Sequence, residues 1–149
     1  MYSKFILLVE DNEDDIKLTQ MAFKENNIMN ELVIIQDGAE ALDYIFCKGN
    51  YSNRDKNELP TLILLDIKLP KVDGIEVLKQ IRANKKTKLI PVVILTSSNE
   101  EKDILNGYSL GCNSYVCKPV NFNEFTSAMK QLGLYWLIIN EEPPTIQEQ

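Results

Sequence analysis

Five positions in this chain join a chemically able side chain to the end of an apolar run. Glu10 and Asp11 follow Phe5-Ile-Leu-Leu-Val9, Asp66 follows Leu62-Ile-Leu-Leu65, Thr96 closes Val92-Val-Ile-Leu95, and Lys118 follows Ser114-Tyr-Val-Cys117. Carboxylates crowded together repel unless a cation lies among them. An all-oxygen donor set suits a hard divalent ion, most naturally Mg²⁺. A lone ammonium suits a phosphoryl oxygen, and a carboxylate can act as nucleophile and become an acyl phosphate. Together, acids, hydroxyl and ammonium are the parts of phosphoryl-transfer chemistry, where positioning and charge neutralisation dominate. The chain contains no histidine, which removes Ser-His-Asp and Cys-His catalysis, His-metal sites and a phosphohistidine of its own.

Bringing these residues together requires parallel strands whose carboxyl ends share one edge. Apolar runs predict strands at 5–9, 32–35, 61–66, 91–96 and 114–117. Helical spacing predicts helices at 14–26, with Ile16, Met21 and Phe23 among charges, and at 38–48, 72–84 and 99–110. A last helix begins near Asn121. Ser98 with Glu101, and Asn121 with Glu124, read as capping boxes, and Val120 with Phe125 as a hydrophobic staple. Residues 48–60 read as a polar loop. Strand–helix alternation with unbroken apolar strands implies an α/β fold, a doubly wound parallel sheet covered on both faces. No repeat or second domain is evident.

At 149 residues and 44% apolar content, one domain can bury a core without disulfides or metal. A net charge of −6 leaves no electrostatic footprint for nucleic acid or an anionic membrane. The three cysteines Cys47, Cys112 and Cys117 read as reduced thiols, buried or half-buried, in a cytoplasmic protein. No targeting segment is expected at the start, and the apolar run 134–139 is too short to span a bilayer.

In these motifs the chain resembles the receiver domain of two-component response regulators, the CheY-like family. Glu10-Asp11 stands where that family has its acidic pair, and "LLDIKLPKVDG" matches its phosphoacceptor segment, with Asp66 as acceptor and Gly74 at the expected distance. "LTSS" places Thr96 at the switch hydroxyl, and "YVCKP" places Tyr115 at the aromatic switch and Lys118 at the family lysine. The resemblance covers residues 4 to 132 and implies a flavodoxin-like, CheY-like sheet of five strands in the order 2-1-3-4-5 with five helices.

The resemblance also implies roles. Asp66 accepts a phosphoryl group from a sensor histidine kinase or a histidine phosphotransfer protein. Mg²⁺ is held by Glu10, Asp11, Asp66 and the backbone carbonyl of Lys68. Lys118 pairs with phosphoryl oxygens, Thr96 moves toward the phosphate, and Tyr115 turns inward after it. The Lys118–Pro119 peptide is cis. Phosphorylation changes a face of helix four, strand five and helix five that binds a downstream protein target. The extended 46–60 segment and the stretch "LYWLIINEEPP" are similar to single-domain regulators of the cyanobacterial phytochrome-associated type, which implies a sensor kinase partner and a homodimer. The expected organisation is a receiver domain over 1–140 and a flexible tail over 141–149.

Each residue also has a plain structural reading. Asp66 could be a strand-end cap, Glu10 and Asp11 could cap the first helix, Thr96 could simply end a β-branched strand, Lys118 could be a solvated charge, and Tyr115 could be packing. Glu10 stands where the commoner family residue is Asp, while Lys68 and Ser98 occupy places that tune dephosphorylation in the family. The run 11–22 fails as an EF-hand loop, with Ile16 for Gly and Ala22 for Glu. A haloacid-dehalogenase-type phosphatase needs a second Asp at position 68, which is Lys. A flavodoxin-like carrier needs a Gly- and hydroxyl-rich loop where this chain has acids, and no Walker loop is present. A receiver that has lost phosphorylation is disfavoured by the intact acid, Thr and Lys set. In the last helix Phe125, Met129, Leu132 and Trp136 are expected to face the core. Leu134, Tyr135, Leu137 and Ile138 are expected to form an apolar dimer interface on the remaining face.

Overall fold

The computed structural model describes residues 4–118 and 121–144. The expected cis Lys118–Pro119 peptide, the Val120 staple and the end of the expected 141–149 tail lie outside the described residues. Five strands, β1 (Phe5–Val9), β2 (Glu31–Ile35), β3 (Leu62–Leu65), β4 (Val92–Thr96) and β5 (Ser114–Cys117), alternate with five helices. These are α1 (Glu13–Glu25), α2 (Gly38–Ile45), α3 (Gly74–Ala83), α4 (Glu101–Ser109) and α5 (Phe122–Gly133). All strand pairs are parallel, in the order β2-β1-β3-β4-β5.

Alternation along the strands divides the interior into two layers. Leu7, Val9, Ile63, Leu65, Val92 and Ile94 pack against Ala41, Ile45, Val77, Leu78 and Ile81 of α2 and α3. Ile6, Leu8, Leu62, Leu64, Val93 and Leu95 pack against Ile16, Ala22 and Phe23 of α1 and Phe125 and Met129 of α5. Both faces of β1, β3 and β4 are therefore apolar, which is why these strands read as unbroken hydrophobic runs.

Caps set the helix starts. Asn12, Asp37, Asp73 and Asn121 each accept a hydrogen bond from the backbone N–H three residues on, at 3.1, 2.7, 3.0 and 2.8 Å. Capping by Asp73 starts α3 at Gly74 rather than at 72. The capping box expected from Ser98 and Glu101 does not form. α4 begins two residues later with Glu100 as its cap residue, while the Ser98 hydroxyl donates to Asp103 at 2.5 Å and accepts from the Glu100 N–H at 3.4 Å.

Of the apolar residues that mark α1, Ile16 and Phe23 are buried and Met21 is 53% exposed. Two further expectations are corrected. Cys117 is exposed, on edge strand β5. Leu137 is buried with Trp136 against α1 and the sheet, so it does not belong to the exposed face assigned to it. Residues Leu134–Ile139 continue α5 as a π-helical turn. Leu137 lies four residues past buried Gly133 and one past Trp136, on the inward stripe. The 48–60 loop contains a 3₁₀ turn, Gly49–Tyr51. It is pinned by Arg54, whose guanidinium stacks 3.8 Å from the Tyr44 ring centroid and donates to the Tyr44 and Glu58 carbonyls.

Candidate functional site

The ladder hydrogen bonds continue one residue past the strands and carry the polar residues into register. Glu10 N–H donates to Ile35 O, Asp66 N–H to Val9 O and Lys118 N–H to Thr96 O, at 2.9, 3.0 and 2.8 Å. Glu10, Asp66, Thr96 and Lys118 thus converge at the carboxyl edge of the sheet, the place where open parallel sheets bind ligands. Below them, Gly74 lets α3 pack directly under the acceptor segment. A Cβ there would stand 2.0 Å from the Asp66 carbonyl oxygen and 2.8 Å from the Ile67 Cα, so no larger residue fits without moving that backbone.

Asp66 is buried and both of its oxygens are engaged. Oδ1 accepts from the Thr96 hydroxyl at 2.7 Å and from the Lys68 backbone N–H at 3.3 Å, and Oδ2 accepts from Lys118 at 2.9 Å. Lys118 Nζ also donates to Glu10 Oε1 and to Asp15 Oδ2, the latter at 2.8 Å. Glu10 Oε2 accepts from Asn12 N–H at 3.2 Å. Asp11 is exposed at the rim, and among the described residues the carboxylate oxygens of Glu10, Asp11 and Asp66 lie within 4.8 Å of one another. Three oxygen donors so placed fit a hard divalent cation, with no nitrogen or sulfur donor among them.

The electrostatics distinguish the two buried acids. Burial pushes Glu10 up from 4.5 to about 7, aided by the Asp66 charge and opposed by Lys118. Burial also acts to raise Asp66, but the Thr96 hydroxyl and the Lys118 ammonium outweigh it and hold Asp66 below the usual carboxylate value. Burial disfavours the charge of Lys118, but the hydrogen bonds it donates to three carboxylates outweigh this and raise it. Near neutral pH the site therefore keeps Asp66 ionised, in the form a nucleophile needs, and any bound proton resides on Glu10.

Glu10, Asp11, Asp66, Thr96 and Lys118 are brought together as expected, and Lys68 joins through its backbone. Tyr115 stands back from them. Its hydroxyl donates to the Ser98 carbonyl at 2.8 Å, and Ser98 N–H approaches the Thr96 hydroxyl at 3.4 Å. Sequence reasoning missed two contacts. Asp15 is the third partner of Lys118, one acid in the run 10–15 that nothing in the sequence separates from its neighbours. The Ser98–Asp103 hydrogen bond had no signal separable from helix capping. Leu134, Tyr135 and Ile138 lie on the α5 extension and take no part in the site.

The description "Response regulator receiver domain" matches residues 6–130 of the chain. Response regulator Rcp1 of Synechocystis sp. is 41% identical over 134 residues, covering 90% of this chain and 89% of that protein. A crystal structure of the phosphorylated cyanobacterial phytochrome response regulator RcpA superposes with a TM-score of 0.88 at 40% identity, covering 96% of this chain and 100% of that one. The Mn²⁺-bound form of Rcp1 gives a TM-score of 0.87 at 39% identity, covering 95% and 100%. That relative was thus solved with a divalent metal bound. Among the described residues no helix is long and apolar enough to cross a membrane. The fold, the strand-end site and these likenesses agree, and the chain belongs to the response regulator receiver family, the phosphoacceptor switches of two-component signalling.

Proposed function

We propose that Asp66 is the phosphoacceptor and that a phosphohistidine on a sensor histidine kinase or histidine phosphotransfer protein is the donor. The observation that carries this reading is the double engagement of Asp66, by Thr96 and the Lys68 N–H on one oxygen and by Lys118 on the other, beside Glu10 and Asp11. An Asp66 oxygen attacks phosphorus, the donor's P–N bond breaks, and the electron pair leaves with the imidazole nitrogen. Mg²⁺, held by Glu10, Asp11, Asp66 and the Lys68 carbonyl, supplies neutralisation of the phosphoryl charge when bound. Lys118 pairs with the phosphoryl oxygens, and Thr96 turns from Asp66 to the phosphate. Tyr115, already bonded to the Ser98 carbonyl, follows the β4–α4 segment and changes the face built by α4, β5 and α5, to which a downstream protein binds. The chain catalyses its own phosphorylation and dephosphorylation only, in the cytoplasm.

The likeness to phytochrome response regulators supports a phytochrome-type sensor kinase as donor. Leu134, Tyr135 and Ile138, with Ile139 in the place expected of Leu137, leave an apolar surface on the α5 extension. That surface supports a homodimer. Incubation with acetyl phosphate and Mg²⁺ followed by intact mass tests the main reading. One added phosphoryl group, absent without Mg²⁺ and absent in Asp66→Asn, is expected. Equal labelling of Asp66→Asn would refute it.

A further inference from the structure

An ammonium has three N–H donors, and Lys118 spends one each on Glu10, Asp15 and Asp66. Two of those acceptors are needed elsewhere. Glu10 belongs to the acidic cluster that fits a divalent ion, and an Asp66 oxygen becomes bonded to phosphorus. Asp15 stands outside that cluster. Its backbone is tied at both ends, the N–H to the Asn12 side chain at 3.1 Å and the carbonyl to the Thr19 hydroxyl at 2.8 Å. The Lys118 side chain is only 8% exposed. With Glu10 and Asp66 given up, Asp15 is the carboxylate that remains to this buried ammonium until phosphoryl oxygens reach it, and a buried charge with no partner is strongly unfavourable.

We propose that Asp15 is a positioning residue that holds Lys118 in place while Glu10 and Asp66 are given over to the metal and the phosphoryl group. The inference rests on Asp66 being the acceptor. Without Asp15, the ammonium competes for the same two carboxylates that the ion and the phosphoryl group require. Asp15 thus lowers the cost of freeing Glu10. The competing explanation is a bulk charge effect in the first turn of α1, where Glu13 and Asp14 are also acidic. Asp14 is exposed and makes a control of the same charge change.

The test compares wild type, Asp15→Asn, Asp14→Asn and Asp66→Asn, with Asp15→Ser as a second variant should Asp15→Asn fold poorly. Acetyl phosphate labelling is followed by intact mass, where the O–P bond to Asp66 forms and acetate leaves with the electron pair of the broken bond. Mg²⁺ affinity is measured by calorimetry on the same proteins and on Lys118→Met with and without Asp15→Asn. Loss of one charge-assisted hydrogen bond predicts labelling about tenfold slower and Mg²⁺ binding several-fold weaker in Asp15→Asn. Asp14→Asn should stay within about twofold of wild type, and Asp15→Asn should add less than about twofold in the Lys118→Met background. Wild-type rate and affinity in Asp15→Asn, an equal loss in Asp14→Asn, or an undiminished loss without Lys118 would each overturn the inference. Wild type that binds Mg²⁺ yet takes no label at Asp66 would instead remove the acceptor assignment beneath it, and the inference with it.

Discussion

Glu10 offers a stability signature that needs no phosphoryl donor. Its carboxyl is buried and titrates near 7 in the fold against 4.5 when exposed. A raised folded-state value means that protonated Glu10 favours the fold. That contribution is full below about pH 4.5 and disappears as pH rises through 7. The whole shift corresponds to roughly 3 kcal/mol at 1.36 kcal/mol per unit. Local relaxation and water entry at the strand edge reduce the observable part to about 1–2 kcal/mol. For a chain of this size that is a fall in Tm of roughly 2–8 °C between pH 5 and pH 8. The window is otherwise quiet, since the chain has no histidine and Asp66 is held low enough to stay ionised throughout. The assay is thermal unfolding in chelator from pH 5 to pH 8, repeated with Glu10→Gln. Wild type should lose stability with rising pH and the variant should not. Added Mg²⁺ should stabilise more at pH 8 than at pH 5, because its ligands must be deprotonated. A flat wild-type profile, or a slope kept in Glu10→Gln, would show that Glu10 is not the buried acid this site requires.

Other perturbations test the supports of the site. Gly74→Ala places a methyl 2.0 Å from the Asp66 carbonyl; it should cost about 2–4 kcal/mol in urea unfolding and slow acetyl phosphate labelling on the order of 100-fold by displacing the acceptor backbone. Thr96→Ala removes a buried donor to Asp66 and should cost about 1–3 kcal/mol at pH 7, read by the same unfolding assay. Ile138→Asp puts a charge on the most exposed apolar position of the α5 extension, 74% accessible, and should leave stability unchanged while light scattering reports a monomer.

Much of the sheet and the site was legible in the sequence for a physical reason. β1, β3 and β4, buried on both faces, are written as apolar runs, and the residue after each run is a strand end, so Glu10 and Asp66 could be placed without knowing a single contact, whereas Lys118 follows the half-buried edge strand β5 and was placed with the help of the "YVCKP" motif. β1 and β5 have the bounds that the residues predict. Helix starts were less legible where a side chain had a second use. Ser98 offers an oxygen to accept and a proton to donate, and only the packed structure shows that the oxygen meets Glu100 N–H rather than Glu101 N–H while the proton goes to Asp103. Leu137 was misplaced because one residue along a helix turns the side chain by about 100°, and at the edge of the stripe that decides between core and surface. Asp15 was one carboxylate in a run of five acids, and its distance to Lys118 is a tertiary fact that a span of 103 residues hides.

The most direct test of the central claim is to locate the phosphoryl group. Protein labelled with acetyl phosphate and Mg²⁺ is treated with borohydride, which reduces an acyl phosphate to the alcohol, and the digest is mapped by mass. The account predicts homoserine at position 66 and unmodified Glu10, Asp11 and Asp15. Reduction at any of those neighbours, with position 66 intact, would contradict it.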